Sequence, residues 1–327
     1  MNPANDTSRK YHLPVWSRIT ISGLLLWYVI VHTDLPGAAS RLAGTNAVWF
    51  VAMILTIAGS KVFTAYRWYV LVKCWEPDAR FWPLVRITFT SNFFGMFLPG
   101  GATEVIRVAG LKQAGSSLPN SFSSVVFDRV VGLVSLVVML LLGAVFFQGV
   151  STRAVAIYAS LALVCVVVFA VLALHSGMHG LLLRLTPEGS RLRKGASAMI
   201  DALVILRGRP MLILWSFVLA FGMQMFRVMW FYFGAFAVAV PLAISWLMIL
   251  VPAHTFMVML PVSLGGVGVG EAVLLEFFAS LGFDSSIAIA FAVLLYVSNL
   301  IANLPGLWIG IQLLSGRKEM IRSARGQ

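Results

Sequence analysis

The sequence has little charge and almost no cysteine, and both shortages exclude whole classes of protein. Of its 327 residues only 11% are charged, whereas 60% are hydrophobic. Ordinary soluble domains carry about a quarter charged residues, so this composition indicates a membrane protein. The only cysteines are Cys74 and Cys165, which leaves neither a disulfide framework nor a paired-cysteine metal site.

Recognisable motifs of catalysis are also missing. The sequence contains no HExxH, no GxSxG and no P-loop lysine, and the glycine-rich stretch at 265–270 lacks the GxGxxG spacing. We therefore expect a protein that is not an enzyme and that holds no metal or cofactor. The net charge of +12 lies in short loops between apolar runs, so membrane topology explains it better than a nucleic-acid partner.

Apolar runs of a length that spans a bilayer, roughly 20 residues, predict six full transmembrane helices. These runs are 19–33, 47–72, 120–147, 154–174, 211–236 and 286–314. The first run follows Arg9 and Lys10, and we expect it to be retained as a span rather than cleaved as a signal peptide. The fold class predicted here is an all-α polytopic membrane protein.

Two further apolar runs, 84–98 and 242–262, end in a proline and a glycine cluster. If both crossed the membrane, the basic loop 175–210 would face outward, against the positive-inside rule. If both instead enter and return on the same side, 18 of the 24 basic residues become cytoplasmic and only Arg41 and Arg153 lie outside. Four basic residues then fall within spans. We therefore predict two re-entrant segments and cytoplasmic termini.

Broken segments in corresponding positions of two halves are typical of an inverted repeat with a central binding site. The turns of the two segments are predicted at Pro99, Gly100, Gly101, Pro261, Gly265 and Gly266. The chain is then one transmembrane domain over 1–327, with a first half at 1–150 and a second half at 211–327. Residues 151–210 supply a span and a cytoplasmic linker, which is either an interfacial amphipathic helix or a solvated segment.

Ionisable residues inside apolar runs are costly, so each is a candidate functional residue. Arg67 lies near a span end, and we expect it to snorkel to the surface. Glu104 and Arg107 follow the first glycine turn, where an ion pair between them competes with a role in binding an anion at the helix amino end. The predicted substrate-binding residues are Lys61, Glu104, Arg107, Asp128, Arg129, Arg227 and Glu271.

Three motifs in order carry a family resemblance: LPGGATEVIR at 98–107, VVFDRVVGLV at 125–134 and LPVSLGGVGVGE at 260–271. Together they resemble the flippase-like transmembrane family related to the membrane region of lysylphosphatidylglycerol synthase. The resemblance implies transport of lipids with charged headgroups between leaflets. Synthesis belongs to a separate soluble domain in bifunctional members, and we do not expect it of this chain.

The resemblance also implies roles by position. Glu104 stands where the family more often has aspartate, Arg107 matches the family arginine, and Asp128-Arg129 matches its acidic-arginine pair. Glu271 matches the family glutamate, whereas Gly270 replaces a residue that is commonly basic.

The expected function is a lipid flippase of a bacterial cytoplasmic membrane that moves a lipid with a polar, anionic headgroup. Membrane lipids are the expected partners, and a homo-oligomer or a lipid-biosynthesis enzyme as protein partner stays open. One alternative is a secondary transporter of a small anion. The other is an accessory subunit of a lipid-modifying or glycosyl-transferring enzyme.

Overall fold

A computed structural model describes residues 34–98, 101–146, 208–240, 242–259 and 268–325, with Trp27 and Ser160 as single helical positions. Within these ranges the chain is all-helical. The helices are α1 (Leu35–Ala43), α2 (Ala47–Val72), α3 (Phe81–Gly95), α4 (Ala102–Gln113), α5 (Leu118–Phe146), α6 (Pro210–Ala237), α7 (Ile244–Met259), α8 (Val269–Ser280) and α9 (Ser285–Arg325).

Four helices are long and apolar enough to cross a membrane: Ala47–Val72, Leu118–Ala144, Pro210–Ala237 and Ser285–Gln312. They coincide with four of the six predicted spans. The other two, 19–33 and 154–174, and the linker up to residue 207 lie outside the described residues, as does Cys165. The chain is therefore an all-α protein with several spanning helices.

The described helices repeat one order twice. A long helix, two short helices and a second long helix occur as α2 to α5 and again as α6 to α9. The contacts repeat as well: α5 packs on α7 and on α6, and α9 packs correspondingly on α3 and on α2. The last helix of each half therefore packs against helices of the other half, and we call α5 and α9 the exchanged last helices.

The first helices of the two halves, α2 and α6, cross antiparallel at matching residues. Phe63 and Phe226 stand four residues after Gly59 and Gly222, and their ring centroids are 5.4 Å apart. A Cβ on Gly59 would lie 3.5 Å from the Phe226 ring, and one on Gly222 would lie 3.2 Å from the Phe63 ring. Each glycine therefore makes room for the ring of the other helix.

The short helices α3 and α4 leave and return at one end of the bundle, the Glu76 end, formed by residues 73–80 and 114–121. There Glu76 Oε1 accepts hydrogen bonds from Ser116 Oγ at 2.8 Å and from Asn120 Nδ2 at 3.1 Å. These bonds, first the one from Asn120, hold the pKa of Glu76 below its usual range. The contact joins the end of α2 to the start of α5.

The short helices α7 and α8 belong to the opposite end, the Asn46 end, formed by residues 34–46, 237–240 and 281–286. The Asn46 N–H donates to the Ala237 carbonyl at 3.1 Å, so the start of α2 meets the end of α6. Ser286 at the start of α9 lies beside Gly37. Each pair of short helices thus begins and ends on one side, and the two pairs use opposite sides.

A glycine caps the amino end of the second short helix of each pair. Gly101 before α4 has φ +90°, and Gly268 before α8 has φ +87°, a region that residues with a side chain rarely adopt. Gly101, one of the predicted turn residues, lies at such a cap. The other predicted turn residues, Pro99, Gly100, Pro261, Gly265 and Gly266, lie outside the described residues.

Candidate functional site

A cavity of about 270 Å³ lies in the middle of the bundle between α2, α6, α7, α8 and α9. Apolar and aromatic side chains form most of its wall, with Trp230, Phe231 and Leu295 among them. Its polar and ionisable lining residues are Lys61, Arg227, His254, Thr255, Glu271, Tyr296 and Asn299. Three of the predicted substrate-binding residues, from both halves of the chain, therefore meet at one cavity.

The two cations of this cavity have no carboxylate partner. Among the described residues no ion pair is formed by Lys61 or by Arg227. Arg227 Nη1 donates to Gln224 Oε1 at 3.3 Å, and Gln224 Nε2 donates to Ser135 Oγ at 2.9 Å. These bonds orient the guanidinium without neutralising it, so the cavity wall keeps positive charge.

Glu271 is the carboxylate of the cavity, and its own helix holds it. Its Oε2 accepts a hydrogen bond from the Gly268 N–H at 2.7 Å, at the amino end of α8. The free N–H groups and the dipole of the helix stabilise the negative charge there. A Cβ on Gly270 would lie 3.0 Å from His254 Nε2, so the imidazole occupies the space that a side chain at position 270 would need.

A second group of charges is buried between α2, α4 and α5. Asp128 Oδ1 lies 2.9 Å from Arg67 Nη2, and Asp128 Oδ2 accepts from Arg107 Nη1 at 2.9 Å. The Arg107 guanidinium also lies over the Trp68 ring, 4.1 Å from its centroid. One carboxylate thus holds two buried arginines.

The expectation that Arg67 snorkels to the surface is wrong. Only 3% of the residue is exposed, because Asp128 draws the guanidinium inward between α2 and α5. Sequence spacing places Arg67 within two turns of a span end, but the partner is 61 positions away along the chain. The adjacent Trp68 is also buried, and its indole N–H donates to Ser124 Oγ of α5 at 3.3 Å.

The local ion pair considered for Glu104 and Arg107 does not form. Glu104 Oε1 instead lies 2.9 Å from Arg129 Nη2, whose side chain is 44% exposed. Asp128 and Arg129 are neighbours in sequence, yet they point to different partners because adjacent residues face different sides of a helix. The charged residues therefore form three groups. These are the buried trio of Arg67, Arg107 and Asp128, the partly exposed pair of Glu104 and Arg129, and the cavity residues Lys61, Arg227 and Glu271.

These groups lie close enough to act on one another. The charges of Arg67 and Arg129 both repel the charge of Arg227, and the charge of Arg227 repels that of Lys61. The cations of the cavity and those held by Asp128 and Glu104 are therefore electrostatically coupled.

The described residues of the second half contain no equivalent of the buried trio. Arg67 and Trp230 both stand four residues after the crossing phenylalanines, and Arg107 and Leu274 both stand three residues after a glutamate. Asp128 and Leu295 are both the eleventh residue of their helix. Apolar side chains thus take the places that correspond to the trio.

Among the described residues no group of three or more His, Cys, Asp or Glu side chains could hold a metal ion.

Residues 15–306 match the model of a protein family described as the lysylphosphatidylglycerol synthase transmembrane region. This match confirms the resemblance drawn from the three motifs. No curated protein matches the chain.

Proposed function

Because the chain belongs to the family of the lysylphosphatidylglycerol synthase transmembrane region, we propose that it moves a lipid with an anionic headgroup between membrane leaflets. The family supports a membrane protein with a lipid-related role. The movement of a lipid between leaflets and the negative charge of its headgroup are our proposal. The observation that carries it is that Lys61 and Arg227 line the central cavity and form no ion pair with any described residue.

An unpaired cation within a membrane protein is expensive, and its cost falls when an anion binds. Lys61 and Arg227 repel one another across the cavity, so a phosphate placed between them replaces repulsion with two attractions. Glu271 supplies one negative charge, and its carboxylate is already engaged by Gly268. The remaining positive charge favours an anionic headgroup, while the acyl chains stay in the bilayer.

We further propose that α2 to α5 and α6 to α9 are inverted repeats that alternate access to this cavity. Three features support this: the antiparallel crossing of α2 and α6, the exchanged last helices, and the two pairs of short helices at opposite ends. Transporters built this way place broken helices at a central substrate site. With its basic loops in the cytoplasm, the Glu76 end is the cytoplasmic end of a bacterial inner membrane protein.

The experiment is leaflet exchange in vesicles reconstituted with the purified full chain. A fluorescent anionic phospholipid reports exchange when an impermeant reductant bleaches the outer leaflet. We expect the wild type to exchange the lipid faster than empty vesicles do. Lys61→Gln and Arg227→Gln should each slow exchange about ten- to hundredfold, the cost of losing one charge-assisted hydrogen bond.

Arg41→Gln is the matched control, because Arg41 is an exposed cation on α1 far from the cavity. Its exchange rate should equal that of the wild type. Exchange that is unchanged by both cavity variants would remove the proposed site. Absence of exchange with every lipid, together with uptake of free phosphate, would instead favour the transporter of a small anion.

A further inference from the structure

Glu104 and Glu271 occupy the same position in the two halves but are bound differently. Each is the third residue of its helix, after a glycine with positive φ. Glu271 turns back and accepts the N–H of its capping Gly268 at 2.7 Å. Glu104 turns away from its helix and pairs with Arg129 at 2.9 Å. A glutamate at this position can therefore bind either the N–H of its capping glycine or an arginine of a neighbouring helix.

Among the described residues, no other side chain caps the amino end of α4, the helix that carries Glu104. α4 begins at Gly101 without any side-chain hydrogen bond to its first N–H groups. The other carboxylate oxygen of Glu104, Oε2, is buried without a hydrogen-bond partner. Burying an unpaired carboxylate oxygen and leaving a helix end uncapped both cost free energy. The observed pairing of Glu104 thus has a competitor within reach.

The charges around Arg129 favour an added anion. Within the described part of the chain, Arg67, Arg107 and Arg129 pair with two carboxylates, Asp128 and Glu104. Arg67 and Arg107 are more than nine-tenths buried, and each keeps two guanidinium nitrogens without a hydrogen-bond partner among the described residues. Arg129 is the exposed member of the group. A site with excess positive charge and free N–H groups can donate hydrogen bonds to phosphate oxygens.

We propose that Arg129, with Arg67 and Arg107 behind it, is a second anion site that receives the phosphate of a lipid headgroup on the Glu76 side before it reaches the cavity. The phosphate replaces the Glu104 carboxylate on Arg129, and Glu104 then caps Gly101 as Glu271 caps Gly268. This site, the Arg129 site, rests on the proposed lipid function for its ligand.

The test measures binding rather than transport. The detergent-purified full chain carries Lys61→Gln and Arg227→Gln, so that the cavity contributes little, and is titrated with dihexanoyl phosphatidylglycerol by calorimetry. We expect Arg129→Gln to weaken binding about tenfold or more, through loss of a charge-assisted hydrogen bond. We expect Glu104→Gln to tighten binding severalfold, because it removes the internal competitor and keeps a side chain of the same shape.

The direction in which Glu104→Gln changes the lipid affinity decides between the two interpretations. If the Glu104–Arg129 pair is only structural, the variant unfolds at a lower temperature and binds the lipid no better, which would overturn the proposal. The matched control is Arg86→Gln, an exposed cation on α3, which should leave binding unchanged. Unchanged binding in Arg129→Gln would equally overturn the site.

Two further arms separate the ligand sources and the two proposals. Inorganic phosphate that competes as well as the short-chain lipid would assign the Arg129 site to free anions and overturn its lipid role. Weak competition by phosphate supports the lipid headgroup. If vesicles show no leaflet exchange while the Glu104 and Arg129 variants shift binding as expected, the transport proposal fails and the binding site stands.

Discussion

At the scale of single residues, the main feature is one aspartate that holds two buried arginines. Asp128 contacts Arg67 and Arg107 at 2.9 Å each, and only 2% of Asp128 is exposed. Such an arrangement contributes little net stability over apolar packing, but breaking it is costly. In the second half, Trp230, Leu274 and Leu295 occupy the matching places. Apolar residues thus fill in the second half the places that the trio fills in the first half.

We predict that Asp128→Asn destabilises the protein by about 3–5 kcal/mol, because it leaves two buried arginines without a counter-charge. Thermal unfolding of the purified protein in detergent measures the loss. The triple variant Arg67→Met, Arg107→Leu and Asp128→Leu should unfold near the wild-type temperature, since it imitates the apolar second half. It should nevertheless lose anionic lipid exchange. Full exchange by a stably folded triple variant would show that the trio has no role in transport.

At the scale of helices, glycines allow the last helix of each half to approach the short helix of the other. A Cβ on Gly306 of α9 would overlap the carbonyl group of Phe89 on α3. A Cβ on Gly143 of α5 would lie 2.9 Å from the Met248 carbonyl on α7. Small residues at such crossings are typical of membrane helices, which gain stability from close backbone approach. The same device thus serves both exchanged contacts.

We predict that Gly306→Val lowers the free energy of unfolding by about 1–3 kcal/mol, because α3 must move away from α9. Since Asn299 and Asn303 of α9 also donate to Met96 Sδ near the inner end of α3, the shift should slow lipid exchange as well. Gly44→Ala is the control, because its Cβ would meet only ordinary contacts at 3.7 Å. A wild-type unfolding temperature for Gly306→Val would refute the close packing.

At the scale of the whole molecule, the charge is distributed unequally between two similarly built halves. The α3–α4 side holds the trio and the Glu104–Arg129 pair, whereas the α7–α8 side has apolar residues and Tyr296 in the places that match the trio and Arg129. An excess of positive charge on one side attracts anions to that side. This distribution supports the proposal that an anionic headgroup enters from the Glu76 end.

We predict that the Glu76 end faces the cytoplasm and the Asn46 end faces outward. In a background without Cys74 and Cys165, Asp78→Cys and Arg41→Cys each place one thiol on an exposed residue. An impermeant maleimide should label Arg41→Cys in right-side-out membrane preparations and Asp78→Cys only in inverted vesicles. Labelling of both thiols from one side would overturn the placement of the two pairs of short helices.

The sequence by itself determined the membrane class, the four spanning helices within the described ranges and the family. It also identified the ionisable residues within apolar runs as candidate functional residues. Hydropathy and glycine position suffice for these, because they act locally along the chain. It did not determine which charge meets which. Glu104 was paired with its neighbour Arg107 as one alternative, and Arg67 was placed at the surface, because spacing along one helix says nothing about the helix packed beside it.

Only the tertiary structure decided which cations are neutralised. Asp128 holds Arg67 and Arg107, Glu104 holds Arg129, and Lys61 and Arg227 are left facing a cavity. These partners come from helices far apart in sequence, and a Coulomb attraction depends on distance in space rather than along the chain. The sequence therefore fixes the charges that the membrane must tolerate, and the packing of the two halves decides which of them remain free to bind.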